Sequence, residues 1–166
     1  MVRYYRENHN LHVCSGILYN HESSRRTGVY VTQKIIKGLQ SGECFQIGNL
    51  ESRRDWGHAK DYVKAMWLML QETVPSDFII ATGKTHSVRE FIEIVVSKMN
   101  KHVEWSGEGI NEVGKIGDKV IVEVSEKFYR SDTKTLLVGN PKRVENLGWI
   151  REYDIDSLIE EMLHPP

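Results

Sequence analysis

The chain has 166 residues, enough for one ordinary domain with a core. Apolar residues make up 40% and charged residues 27%, with 22 Lys and Arg against 23 Asp and Glu. That balance excludes a general electrostatic attraction for nucleic acid, and apolar stretches such as Ala65 to Leu70 are far too short to span a bilayer.

The first residues, Met1 to Glu7, are polar and charged and form no signal-peptide core, so a cytoplasmic chain is expected. Leu11 to Tyr19 reads as a buried strand interrupted by Gly16 and ending at Asn20. His21 to Gly28 is a polar, turn-rich loop carrying Arg25 and Arg26. Val31, Ile35, Ile36 and Leu39 form a helical stripe, and Cys44 to Ile47 is a short strand. Asp61 to Gln71 is the clearest helix, with Tyr62, Ala65, Met66, Met69 and Leu70 expected on its buried side. Phe78 to Thr82 is a β-type run ending at Gly83. Ser87 and Glu90 fit a capping box for the helix that follows. Val103 to Trp105 and Val120 to Val124 read as strands, with Gly107 to Gly117 a loop between them. Asn140-Pro141 opens a helix with Pro at its first position, Gly148-Trp149 closes it, and Asp156 to Leu163 is a last amphipathic helix. The alternation of strands and helices predicts an α/β domain with no internal linker.

Cys14 and Cys44 form neither C-x-x-C nor a zinc spacing. One disulfide stays open as an alternative, but reduced core thiols are the expectation. The His21-Glu22 pair has no second His at ligand spacing, so no metal is expected. His9, His86, His102 and His164 show no arrangement that separates them from surface residues.

Two patterns imitate cofactor chemistry. Tyr30 and Lys34 match Y-x-x-x-K, which puts both side chains on one helical face. No cofactor fold precedes the pair, and the motif is weak alone. Gly107-Glu108-Gly109-Ile110-Asn111-Glu112 begins like a phosphate loop, but Glu112 stands where the third Gly belongs and its carboxylate would repel a pyrophosphate. The more informative clusters are Asn20 to Arg26, just past a strand end, and Arg53 to Asp61, where guanidiniums suited to phosphate precede a helix start at Gly57/His58.

Asn20-His21-Glu22-Ser23-Ser24-Arg25-Arg26, Gly48 to Leu70 almost unbroken, Phe78 to Gly83, His86 to Phe91, Phe128-Tyr129-Arg130 and Gly148-Trp149 together resemble the GDP-mannose 4,6-dehydratases. The resemblance covers essentially the whole chain. It implies the C-terminal part of an NAD(P)-binding, Rossmann-like extended short-chain dehydrogenase/reductase. In it, residues 1–166 form a single cofactor- and substrate-binding fragment, with the last Rossmann elements interleaved with the smaller mixed α/β substrate domain. The implied reaction converts GDP-mannose to GDP-4-keto-6-deoxymannose and water, the first step toward GDP-fucose, with NADP as the cofactor. The family's catalytic Tyr, Lys, Thr and Glu and its Gly-rich loop correspond to a segment upstream of Met1. No catalytic residue is therefore expected here, and the chain is expected to be inactive alone and either poorly soluble or dependent on a partner.

What the resemblance implies for these residues is binding. His21 and Arg26 match NADP contacts. Asn20, Val31, Lys34, Asn49, Arg54 and Arg130 match substrate contacts, with Arg54 and Arg130 on the diphosphate. Lys34 thereby becomes a nucleotide-sugar contact rather than a catalytic Lys. The implied partners are GDP-mannose and either further copies in a dimer of dimers, reached by the Arg25-Arg26 loop, or a complementing N-terminal half; no nucleic acid or membrane is implied. A non-catalytic GDP-sugar binding module, or an interaction protein derived from such an enzyme, is the alternative. Three departures stand out. Ser24 replaces a Pro, which is expected to loosen its loop. The helix after Lys34 is about a turn short before Gly42. The carboxylate expected at Thr133 is absent, and Lys134 adds charge.

Overall fold

The computed structural model describes residues 1–27, 30–130 and 137–166, and these fall into two compact units. The first unit contains Met1–Glu22, Asp55–Thr85 and Val138–Leu158; the second contains Ser23–Arg54, His86–Leu137 and Ile159–Pro166.

In the first unit, helix α1 (Val2–Asn8) precedes strands β1 (Ser15–Leu18) and β2 (Asn20–Glu22). The apolar run from Leu11 to Tyr19 is thus a strand only over Ser15–Leu18. β1 pairs in parallel with β6 (Asp77–Ile80), Gly16 opposite Phe78 and Leu18 opposite Ile80. β2 pairs in parallel with β5 (Trp56–His58), His21 opposite Gly57. Contrary to the sequence reading, β1 is not buried: Ile17 is 54% exposed, because among the described residues β1 has a single strand neighbour.

Helix α3 (Ala59–Met69) starts two residues after Gly57, with the His58 ring Nδ1 accepting from Lys60 N–H at 3.1 Å. Tyr62, Ala65 and Met69, at helical spacing, pack with Phe78, Ile80, Val144 and Trp149 into the core of this unit. Met66 and Leu70, expected on that side, are exposed, as are Val63 and Trp67. Val63, Met66 and Leu70 each stand one position, about 100°, on from a buried residue, and Trp67 lies farther round. Gly57 is required here, since a Cβ would come 2.4 Å from the Tyr62 ring. The short helix α5 (Lys142–Glu145) begins after Pro141, which occupies the N-cap rather than the first helical position.

Polar burial in this unit centres on two carboxylates. Asp61 accepts from the backbone N–H of Glu152 and Tyr153, both at 3.1 Å, and its carbonyl accepts from Trp149 Nε1 at 2.8 Å. Asp55 is fully buried and takes four donors: Thr82 N and Oγ1, Gly83 N and Gly139 N. These bonds join the strand end after β6 to the segment before α5.

The second unit is built on helices α2 (Val31–Ser41) and α4 (Val88–Lys98), which pack on each other. It also has a sheet in the order β3 (Phe45–Ile47), β10 (Lys119–Val124), β9 (Val113–Ile116), β8 (Glu104–Ser106). β3 runs parallel to β10 and the other pairs are antiparallel. The region expected as loop therefore contains a 3-10 turn (Gly109–Asn111) and the whole of β9. The reason is Gly114, whose missing side chain lets the Trp105 ring of β8 close over it; a Cβ there would come within 2.8 Å of that ring. β4 (Arg53–Arg54) pairs antiparallel with β7 (His86–Ser87), which leads into the capping box: Glu90 N–H donates to Ser87 Oγ at 3.0 Å and Ser87 N–H to Glu90 Oε2 at 3.2 Å. α2 ends on Gly42, whose φ of 67° is the left-handed closure that suits glycine. The last helix, α6 (Ile155–Leu163), belongs to the first unit through Leu158 and to the second from Ile159.

Both cysteines are free thiols. Cys14 is half-buried and donates to the Met69 carbonyl at 3.3 Å, but Cys44 is exposed at the start of β3 and is no core residue. Among the described residues no helix is long and apolar enough to cross a membrane, and no group of three or more His, Cys, Asp or Glu is placed to hold a metal ion.

Replacing Asp55 with Ala orphans four donors at once. Each hydrogen bond to a charged group contributes roughly 1.5–3 kcal/mol, so the expected loss in a urea-unfolding measurement exceeds about 2 kcal/mol even if water repairs half of the bonds. A loss below about 0.5 kcal/mol would show that the carboxylate does not hold this unit together.

Candidate functional site

A cavity of about 940 Å³ opens within the second unit. One face of α2 supplies Val31, Lys34, Lys37, Gly38 and Ser41 to its wall. Glu43, Cys44, Phe45 and Ile47 follow along β3, then Gly48, Asn49, Ser52 and Arg54, with Val88, Phe128 and Arg130 closing it. The α2 residues recur at three- and four-residue intervals because that is how one helical face is spaced.

Val31, Lys34, Asn49, Arg54 and Arg130, five of the positions singled out as substrate contacts, are thus brought to one wall. Asn20 and His21 are instead on β2 in the first unit, and Arg26 lies in the turn between β2 and α2. Thr133 and Lys134 lie outside the described residues, as does Gly28 of the loop.

The cationic residues are held individually. Arg53 and Arg54 are adjacent but differently engaged. Arg53 makes a two-pronged pair with Glu90, Nη1 to Oε1 at 2.7 Å and Nη2 to Oε2 at 3.2 Å, and does not line the cavity. Arg54 lines it, steadied by Nη1 donating to the Arg53 carbonyl at 2.7 Å. Lys34 sits with its ammonium 4.2 Å from the centre of the Phe128 ring. Partial burial, and then the charge of Lys127, push its pKa below the ordinary lysine value. A cation so placed is poorly solvated and gains from a bound anion.

Arg130 is positioned through its backbone. Its carbonyl accepts from Asn49 Nδ2 at 3.1 Å, while Asn49 Oδ1 accepts from Glu51 N–H at 2.8 Å. One residue earlier, Gly48 lets the Phe128 carbonyl approach so closely that a Cβ would lie 2.4 Å from that oxygen. Asn49 is therefore a tether for the Arg130 segment as well as a wall residue.

Tyr30 and Lys34 do not act as a pair. Tyr30 precedes α2, and its ring carries the Arg26 guanidinium 3.5 Å above its centre, while Lys34 faces the cavity. Ser24 and its neighbours in the Arg25-Arg26 turn have hydrogen-bond partners. The Ser24 hydroxyl donates to Glu161 at 3.1 Å, Arg26 N–H donates to the Ser23 carbonyl at 3.0 Å, and Gln33 Nε2 donates to that same carbonyl at 3.4 Å. A serine hydroxyl thus supplies a tether where a Pro ring would have supplied stiffness. In the first unit the His21 ring stacks on Tyr62 at 4.9 Å, and its Nδ1 lies 2.9 Å from the Tyr19 carbonyl. A carbonyl can only accept, so Nδ1 carries the hydrogen of that bond.

The sequence reading missed Lys37, Ser41, Glu43 and Phe45 in the wall. Stepping from Lys34 along the helical face would have reached Lys37 and Ser41.

Two measurements test this geometry. Gly48→Ala forces the Phe128 carbonyl, and with it Arg130, out of place; an anion held by the cavity should bind about tenfold or more weakly, read by calorimetry with inorganic pyrophosphate. Partial burial opposes ionisation of Glu90, but the hydrogen bond from Arg53, the Ser87 N–H and the Arg53 and His86 charges hold it below its ordinary value of 4.5. Its folded pKa is depressed, so its stabilisation is present above 4.5 and is lost as pH falls through the lower folded value. Urea midpoints between about pH 3 and 6 should therefore drop on acidification, and Glu90→Gln should flatten that slope; an unchanged slope contradicts the pairing.

Comparison with known proteins follows the same outline. The family model described as GDP-mannose 4,6 dehydratase matches residues 1–162. The GDP-mannose 4,6 dehydratase of Homo sapiens is 47% identical over 168 residues, covering 96% of this chain and 45% of the relative. GDP-mannose 4,6 dehydratase 2 of Caenorhabditis elegans is 45% identical over 166 residues, with 96% and 44% covered, and the Yersinia enterocolitica enzyme is 39% identical. The chain thus spans about half the length of the curated relatives it matches. Among solved structures, dTDP-glucose 4,6-dehydratase from Bacillus anthracis in complex with NAD has a TM-score of 0.75 at 15% identity, covering 98% of this chain and 46% of that one. RMD from Pseudomonas aeruginosa complexed with NADPH has a TM-score of 0.71 at 15% identity, covering 98% and 50%. At that identity the likeness carries the fold, the Rossmann-like α/β architecture of extended short-chain dehydrogenase/reductases. With the family model matching nearly every residue, the chain belongs to the GDP-mannose 4,6-dehydratase family.

Proposed function

We propose that this chain is the nucleotide-sugar-binding portion of a GDP-mannose 4,6-dehydratase, which converts GDP-mannose to GDP-4-keto-6-deoxymannose and water on the route to GDP-fucose. The observation that carries this reading is the cavity wall that joins Lys34, Lys37, Arg54 and Arg130 to the apolar side chains of Val31, Phe45, Ile47 and Phe128. Four cations suit a diphosphate, and a planar guanidinium binds its oxygens two at a time. Held by its phosphates, the substrate has its hexose presented in a fixed place, which removes much of the entropy from the chemical step.

NADP, when bound, supplies the reversible hydride acceptor of this chemistry. His21 and Arg26 are the residues here that would hold it. The His21 ring is fixed by its Nδ1 bond to the Tyr19 carbonyl and by stacking on Tyr62. Stacking on Tyr30 holds the face of the Arg26 guanidinium. The hydride and proton transfers fall to groups outside these 166 residues, in the part of the relatives' length that the chain does not match. In this reading the second unit carries the nucleotide-sugar cavity, and the protein acts as a cytoplasmic homo-oligomer.

Calorimetry on the purified chain tests the binding half. GDP and GDP-mannose should bind, and Arg54→Ala or Arg130→Ala should weaken both by about tenfold to a hundredfold, the worth of one charged bidentate contact. Absence of GDP binding overturns the reading. The chain alone should leave GDP-mannose unconverted even with NADP, and adding a polypeptide that carries the unmatched half of a relative should restore conversion. Turnover without any added polypeptide would sink the division of labour.

A further inference from the structure

The cavity is chemically different along the length of α2. Lys34 lies in the first turn of the helix, against Phe128, from which the chain runs on to Arg130. Seven residues later, about 10 Å along the helix axis, Ser41 closes the helix. Glu43 follows on the same wall, and it is the one carboxylate among the described residues that line the cavity.

Glu43 is held by its backbone. Gly42 takes the left-handed turn and donates its N–H to the Gly38 carbonyl at 3.1 Å. Ser41 Oγ donates to that same carbonyl at 2.9 Å and accepts from Glu43 N–H at 3.2 Å. The Phe45 ring, also in the cavity wall, is largely buried and packs on the bare backbone of Gly38, where a Cβ would lie 2.2 Å from the ring.

A carboxylate in a wall otherwise furnished with cations for a diphosphate would repel that ligand if it faced the phosphates. At the opposite end of α2 from Lys34 it faces the other end of a nucleoside diphosphate, the base. Guanine offers N1–H and the 2-amino group side by side, two donors that match the two oxygens of one carboxylate. Adenine places an acceptor at N1, and hypoxanthine lacks the 2-amino group. Building on the nucleotide-sugar reading, we propose that Glu43 is the specificity-determining residue for the base, accepting both guanine donors. The same carboxylate turns away adenine nucleotides, because a site built for donors is left with unmet acceptors.

Calorimetry with GDP and with IDP, the hypoxanthine analogue, separates this role from general binding. The wild-type chain should bind GDP about tenfold or more tightly than IDP, the worth of one extra hydrogen bond to a charged acceptor in a bidentate pair. Glu43→Gln keeps one acceptor and turns an amide N–H toward the 2-amino group, so the GDP-to-IDP ratio should fall close to one; an unaltered urea midpoint checks that the variant is folded. A ratio that survives the substitution overturns the assignment of Glu43 and leaves the nucleotide-sugar reading standing. Failure of the wild-type chain to bind either nucleotide overturns both.

Discussion

Arg130 has no regular strand or helix to hold it, and its place in the cavity rests on what Gly48 and Asn49 do to its backbone. The missing Cβ of Gly48 admits the Phe128 carbonyl, and the Asn49 amide takes the Arg130 carbonyl at 3.1 Å. Phe128 in turn covers Lys34 at 4.2 Å. Two consecutive residues after β3 thereby set the spacing between a lysine on α2 and an arginine some eighty residues beyond them in the chain. A side chain as long as Arg can reach many places; fixing its backbone is what makes one of them dominant, since less rotamer freedom remains to be lost on binding.

The Arg53-Arg54-Asp55 run divides three neighbouring charges among three tasks. Arg53 is neutralised by Glu90, whose carboxylate also completes the capping box of α4. Arg54 is directed into the cavity wall. Asp55, fully buried, is saturated by four donors of the first unit. A charge pair consumed locally leaves the remaining cation uncompensated by a nearby protein carboxylate, a condition for attracting a ligand anion.

Much of this was readable in the sequence, and the parts that were not have physical reasons. α2, α4 with its capping box, β3 and β10 follow from local periodicity and capping chemistry. β9 was invisible because Val113-Gly114-Lys115-Ile116 is short and contains glycine; it exists through pairing with β8 and β10 and through Trp105 closing over Gly114. Met66 and Leu70 were misplaced because α3 carries apolar residues on two faces, and composition alone does not say which one packs on Phe78 and Ile80. Val31, Lys34, Asn49, Arg54 and Arg130 came from family resemblance, and their convergence needed the fold. Glu43 was missed for a different reason. A carboxylate in a short polar turn looks like a solvated charge until the wall it stands in is known.

Ser24 shows how a departure from a family pattern is read differently once partners are visible. A Pro stiffens a turn by removing conformations from the unfolded chain, so its loss implies a looser loop. Here the hydroxyl donates to Glu161 on α6, and the Ser23 carbonyl collects donors from Arg26 and Gln33. The constraint has moved from covalent geometry to hydrogen bonds made only in the folded state. The two differ in what they cost: a hydrogen-bonded tether at a half-exposed site contributes about 1 kcal/mol and opens on local fluctuation, whereas a ring does not. The Arg25-Arg26 turn thus shares its hydrogen bonds with α2 and α6.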